Sequence, residues 1–459
     1  MKYLLKNGTV VSGTEAKKLD VLVEDEKINK VGEALSNPEA KVIDVTGKLL
    51  FPGFIDGHTH FDLEVAGTVT ADDFETGTKA AILGGTTLVI DFASQDKGGH
   101  SLKEGLEKWH KKADGKCSCD YSFHMSIVEW NEETKKEIQD MIDEGITSFK
   151  LYMTYPAMIV DDEDLYKIVK ALNEKGCFAG VHCENAGVID ALIQEAKAQG
   201  KTGPENHPLV RPDTMEAEAV HRLLVIAKEA KAPVMVVHLT NRKAYEEILH
   251  ARKNGQTVFA ETCPQYLLLD DSVYSKPNFE GAKYVCAPPI RKKEDQDCLW
   301  KALAEGNIQT VATDQCSFTL AQKALGKEDF TRIPGGLPGV QTRGTLLYTY
   351  GVRTGKISVE KMCQLLCENP ARLYGVYPNK GVIAEGSDAD IVVFDPEKES
   401  VISARTHAYN TDNNPYEGFK IHGDIDKVFL RGNLAVDDGK LVQEKLGRYV
   451  KRGLRQPLV

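Results

Sequence analysis

The chain has 459 residues, 42% hydrophobic and 27% charged, a globular composition long enough for a barrel and a second, smaller unit. Its formal net charge of −11 argues against a nucleic-acid partner or an anionic membrane surface. No apolar run approaches the ~18 residues of a membrane span, the start Met1–Gly8 holds no secretory core, and ten scattered cysteines form no CxxC pair, which predicts a cytoplasmic protein with reduced thiols.

Residues 1–48 carry short β-type runs at 3–5, 10–11, 21–23 and 41–45, with no helical pattern and too few residues for a core of their own. From residue 49 the pattern changes. Apolar runs at 50–57, 86–92, 121–128, 148–153, 178–184, 234–240, 258–264 and 310–316 alternate with amphipathic stretches such as 132–145, 162–175, 214–230, 241–254 and 294–306. Several runs are almost continuously apolar, as parallel strands buried on both faces must be. Eight strand-then-helix units predict an α/β protein built on a (β/α)8 TIM barrel over 49–384. Residues 385–442 return to β-type runs at 391–394 and 428–430, with turn pairs at Arg431-Gly432 and Asp438-Gly439. The two ends together predict one small β-sandwich domain beside the barrel. The tail, 443–459, is basic on an acidic chain.

Catalytic groups of such barrels sit at the C-terminal ends of the strands. His58 and His60 close the first run, two residues apart, the spacing that puts side chains on one face of a strand. Lys150 lies on the fourth run, His182 on the fifth, His238 on the sixth and Asp314 on the eighth. Four imidazoles and a carboxylate exceed the needs of one tetrahedral cation and suit two cations about 3.5–4 Å apart. Two dications need a bridging anion. Lys150 lies in an apolar strand, where a lone ammonium costs on the order of several kcal/mol. Either its amine adds carbon dioxide and bridges as a carbamate, or it pairs with a carboxylate or snorkels to solvent; strand position leaves both open. A hydroxide between two cations is a nucleophile near neutral pH. Asp314 either carries its proton to a leaving nitrogen or acts only as a ligand. Such a site hydrolyses unactivated carbonyls such as amides.

Specific motifs accompany these residues: Pro52-Gly53-Phe54-Ile55-Asp56-Gly57-His58-Thr59-His60, Phe149-Lys150 with Met153-Thr154-Tyr155, His182-Cys183-Glu184-Asn185, Val237-His238-Leu239-Thr240, Glu261-Thr262-Cys263-Pro264 and Thr313-Asp314-Gln315-Cys316. With them the chain resembles, over its whole length, the cyclic amidohydrolases, specifically the dihydropyrimidinase and D-hydantoinase family. The resemblance implies that His58, His60, Lys150 and Asp314 hold one divalent metal ion and that Lys150, His182 and His238 hold a second. A histidine-rich donor set suits zinc and admits manganese or cobalt, and the resemblance implies that Lys150 is N6-carboxylysine. Tyr155 then contacts the substrate carbonyl or its oxyanion. Ala287 and Gly335 stand where the family usually has serine and asparagine, at positions that bind the ring through main-chain groups. The implied reaction opens hydantoins or dihydropyrimidines to N-carbamoyl amino acids, on a small neutral cyclic ureide or imide. A homotetramer is implied too, with the basic tail docked on a neighbour. Dihydroorotases carry an arginine two residues after the second histidine; here Asp62 stands there, expected to repel an anionic substrate. Allantoinase is the second reading. A non-catalytic scaffold, as in collapsin response mediator proteins, is opposed by the complete ligand set.

Overall fold

A computed structural model describes residues 2–458. The eight barrel strands are Phe54–Thr59, Thr86–Ser94, Asp120–Ser126, Ser148–Tyr152, Phe178–His182, Val234–Val236, Val258–Thr262 and Thr310–Val311. Each pairs in parallel with the next in chain order, and a parallel bridge from Thr59 to Gln315 joins the last to the first. Strand parity divides the side chains. Val234 and Val236 pack in the large core against the helices, while Met235 joins Ile55, Leu88, Ile90, Phe178 and Phe259 in a separate cluster. The expected helices form at Glu132–Asp143, Asp162–Glu174, Asp213–Glu229, Arg242–Lys253 and Lys293–Ala304. Asn131, Asp161 and Asn241 start three of them by accepting first-turn amide hydrogens.

The first predicted strand, 50–57, is two strands. Leu49–Pro52 pairs with Ile391–Val401 and Thr9–Val11 in a seven-stranded sheet, and the barrel begins only at Phe54. Gly53 makes the crossing, since a Cβ there would lie 2.0 Å from Thr87 Oγ1. The seven-stranded sheet faces a four-stranded sheet made of 2–6, 20–24, 27–32 and 41–44, so both termini build the sandwich. Alternation explains its apolar runs. Leu50, Ile391, Val393 and Phe429 fill the sandwich core, while Phe51, Val392, Phe394, Val428 and Leu430 face the large core shared with the barrel. A buried charge cluster fastens the two units: Lys380 Nζ donates to Asp120 on the third barrel strand (2.8 Å) and to Asp390 beside the sandwich (2.6 Å), and Arg431 also donates to Asp120.

The basic tail packs along its own barrel. The amides of Gly447, Val450, Arg452 and Gly453 donate to Cys117, Tyr121, Gly145 and Gly375 of the same chain, at the N-terminal end of the barrel. Arg452 is buried there, donating to Ser122 Oγ (2.9 Å), Ser148 Oγ (2.8 Å) and the Phe123 carbonyl (2.5 Å). Its donors find acceptors within its own barrel, while Arg448 and Lys451 stay exposed beside Glu26 and Glu144. Among the described residues no helix is long and apolar enough to cross a membrane, and all ten cysteines are free.

Candidate active site

Parity on the fourth strand sends Phe149 and Leu151 outward into the large core and Lys150 inward. Lys150 is 1% exposed, with Nζ 3.5 Å from His58 Nε2 and 5.0 and 5.2 Å from the ring centres of Phe92 and Tyr152. It does not snorkel, and among the described residues it forms no salt bridge. Burial pushes its amine below the ordinary lysine range, with Asp314 and Glu261 opposing.

The histidines converge as their strand positions require. His58 Nε2 lies 3.2 Å, and His60 Nε2 3.1 Å, from Asp314 Oδ1. The rings of His182 and His238 are 4.6 Å apart, and His58 lies 5.4 Å from His238. One donor atom each from His58, His238 and Asp314 falls within 4.8 Å of the others. Burial lowers the pKa of His58, His182 and His238, so these imidazoles are neutral. Burial opposes ionisation of Asp314, but interactions led by the His60 hydrogen bond outweigh it and hold the carboxyl well below the usual range. His238 Nδ1 is buried without a partner. Neutral imidazoles, an ionised carboxylate and an orphaned ring nitrogen at one strand-end face are what a divalent cation requires. The residues fit a metal centre.

Two carboxylates that the motifs contain, but to which sequence reasoning gave no role, orient two of the histidines. Glu261 Oε1 lies 2.6 Å from His58 Nδ1, leaving Nε2 directed at the centre. Glu184 Oε2 lies 2.7 Å from His182 Nε2 and accepts from Arg211 (2.6 Å). The signal was available: Glu184 follows His182 by two residues, and Glu261 sits on a barrel strand between neighbours that face outward.

Tyr155 stands over His182, ring centres 5.1 Å apart, with the Arg211 guanidinium 5.7 Å from its ring. Burial pushes its phenol up, so it remains a hydrogen-bond donor. Tyr155, His238 and Asp314 all adopt left-handed backbone angles, φ +67°, +40° and +53°. Such conformations cost non-glycine residues about 1–3 kcal/mol and concentrate at functional sites. Ala287 and Gly335 lie on two loops at the same face. One cavity of about 1010 Å³ is lined by all nine sequence-derived site residues: His58, His60, Lys150, Tyr155, His182, His238, Ala287, Asp314 and Gly335.

Asp62 is a different matter. It does not line the cavity, and Lys112 binds its main-chain carbonyl while standing 4.0 Å from its carboxylate. Lys112 partly offsets the charge of Asp62, which weakens the repulsion of an anionic substrate expected from it.

A barrel that gathers neutral imidazoles, a buried amine and an ionised carboxylate at its C-terminal face defines a metal-dependent hydrolase. Comparison with known proteins agrees. The amidohydrolase family profile matches residues 49–435. The chain is 46% identical to a D-hydantoinase of Geobacillus stearothermophilus, over 98% of this chain and 97% of that protein. It is 44% identical to a D-hydantoinase of Streptomyces coelicolor, over 100% and 99%. The crystal structure of dihydropyrimidinase from Brevibacillus agri superposes with a TM-score of 0.98 at 44% identity, covering 100% of both chains. The chain belongs to the amidohydrolase family, within its D-hydantoinase and dihydropyrimidinase group, and is a cyclic amidohydrolase.

Glu261→Gln tests the ligand-orienting role. The amide can still bond His58 but no longer supports it as a carboxylate does. Metal affinity should fall about 10–100-fold, read as metal retained after dialysis against graded chelator, with retention equal to the unsubstituted protein contradicting the role.

Proposed function

We propose that this enzyme opens neutral five- or six-membered cyclic ureides, hydantoins and dihydropyrimidines of the 5,6-dihydrouracil type, to N-carbamoyl amino acids. One observation carries the reading: a single cavity presents the metal-type donor set, the Tyr155 phenol and the Ala287 and Gly335 loops together. The names of the relatives, D-hydantoinase and dihydropyrimidinase, support it.

The donor set would hold two divalent cations, zinc foremost, through His58, His60, Lys150 and Asp314 on one side and Lys150, His182 and His238 on the other. Such a pair acidifies water and polarises a carbonyl. Lys150 serves as N6-carboxylysine in this reading; its buried amine, driven toward the neutral form, is the species that adds carbon dioxide. The protein side chains do the rest. Main-chain groups near Ala287 and Gly335 hold the ring amide and fix which carbonyl faces the donors. Tyr155 donates to the carbonyl oxygen as negative charge builds there. Asp314, ionised before substrate arrives, accepts the proton released by the attacking water and delivers it to the ring nitrogen as the C–N bond breaks.

Substrate neutrality follows from commitments on the cavity wall. Arg211 is bound to Glu184, Lys112 to the Asp62 carbonyl, and Lys97 to the carbonyls of Pro156 and Ile159. Among the described residues Arg211 is the one guanidinium lining the cavity, and its commitment to Glu184 leaves no free bidentate partner for a substrate carboxylate. The test is a turnover panel of dihydrouracil, hydantoin, 5-phenylhydantoin, allantoin and dihydroorotate. Dihydrouracil or hydantoin should exceed dihydroorotate in kcat/KM by about 100-fold or more. A ratio below one overturns the assignment, and allantoin as best substrate replaces it with allantoinase.

The resemblance also supports a homotetramer with two metals per chain. Light scattering and elemental analysis of zinc-replete protein check both together; a monodisperse monomer, or one metal per chain at saturation, contradicts the corresponding part.

A further inference from the structure

Lys323 is a buried cation with no acid to pair it. It ends a short helical turn, Leu320–Lys323, after the eighth strand, and is 1% exposed. Its ammonium has three hydrogens and no acceptor. They have three partners: the carbonyls of Val285 (2.9 Å), Pro334 (2.7 Å) and Gly336 (2.9 Å). Among the described residues Lys323 forms no salt bridge; the Phe318 ring, 5.4 Å away, covers another side. Burying an ammonium without a counter-charge is expensive, and only complete hydrogen bonding makes it tolerable. Burial pushes its pKa down, to about 8, while hydrogen bonds from the ammonium to three carbonyls favour the charged form.

The partners come from two separate loops. Val285 precedes Cys286 and Ala287, between the seventh and eighth strands; Pro334 and Gly336 flank Gly335, beyond the eighth. A backbone hydrogen bond ties these loops directly. The Gly336 amide donates to the Val285 carbonyl at 2.9 Å, and an added Cβ on Gly335 would still stand 3.8 Å from Cys286 Cα. Gly336 itself has φ +149°, and a Cβ there would lie 2.3 Å from the Cys316 carbonyl, so the second loop depends on a residue with no side chain to anchor it. Lys323 supplies the missing anchor from beneath. No metal-type donor takes part: His58, His60, Lys150, His182, His238 and Asp314 lie on other segments.

We infer that Lys323 is a positioning residue that clamps the Val285–Ala287 and Pro334–Gly336 loops at a fixed separation and thereby sets which ring the cavity accepts. The ring-recognition half of this inference rests on the proposed ring-opening function; the clamp itself does not.

The experiment uses metal-replete full-length protein and two variants. Lys323→Met keeps the chain length and removes every donor; Lys323→Gln keeps two shorter donors and serves if the first fails to fold. Hydrogen exchange is followed over 283–288 and 333–338, with metal content and steady-state kinetics on hydantoin and dihydrouracil. Exchange in both segments should quicken about tenfold or more while metal content is unchanged. KM for both rings should rise about tenfold with kcat within about threefold, and the ratio of kcat/KM between the two rings should move by about threefold or more. Lys323→Gln should show the same changes, smaller. Unchanged exchange in both segments overturns the clamp. Faster exchange with unaltered KM and ring ratio overturns the specificity role. If the unsubstituted enzyme opens neither ring, the functional reading falls, and exchange alone still decides the clamp.

Discussion

The site is organised around a lysine that has nowhere to put its charge. Strand parity fixes Lys150 inside the barrel, with its Nζ beside an imidazole and between two aromatic rings. Any protonated neighbour would add to the penalty, and the neighbouring histidines are held neutral by burial. Asp314, the carboxylate that most favours the charged amine, is already occupied by His58 and His60. The arrangement is therefore costly as bare protein and becomes sensible when cations sit among the imidazoles and the amine carries a negative group instead. Local order is maintained by carboxylates one layer out. Glu261 and Glu184 each grip a ring nitrogen, and each leaves its other oxygen buried without a partner. Strain and unsatisfied polar atoms of this kind are affordable only in a large, well-packed frame.

That frame is supplied by two units sharing one core. The seven-stranded sheet turns one face to the small sandwich core and the other to the barrel, so its strands are apolar throughout. Lys380 and Arg431 join the units through Asp120 and Asp390, and the tail closes the N-terminal end of the barrel with Arg452. The opposite end is left to loops, where Lys323 replaces hydrophobic packing with a three-point polar anchor. Rigid base and adjustable rim are thus built by different kinds of interaction.

Much of this was legible beforehand. Continuous apolar runs marked the barrel strands, and donors at the ends of several of them marked one face. The resemblance of the motifs brought Tyr155, Ala287 and Gly335 to that face as well. Legibility failed where the answer depends on three-dimensional proximity. The run 50–57 hid a change of domain because both halves are buried on two faces, and only the absence of a side chain at Gly53 lets them cross. The comparison of Asp62 with the dihydroorotase arginine predicts repulsion of an anion, but not that a left-handed turn at Asp62, φ +50°, sets it beside Lys112. The tail was read by charge alone, which cannot reveal that Arg452 finds its acceptors inside its own barrel. Glu184 could be seen two residues after His182, but the partner of Glu261 lies 203 positions away and the Lys323 acceptors are main-chain carbonyls, which no residue type marks.

The state of Lys150 can be measured directly. Metal-free protein reconstituted with zinc and carbon-13 bicarbonate, then examined intact by carbon-13 NMR, should show one carbamate carbonyl resonance at about one equivalent per chain, absent from Lys150→Arg. A fully active, zinc-loaded enzyme with no such resonance would contradict the bridging carbamate and with it the explanation offered for a buried lysine at this position.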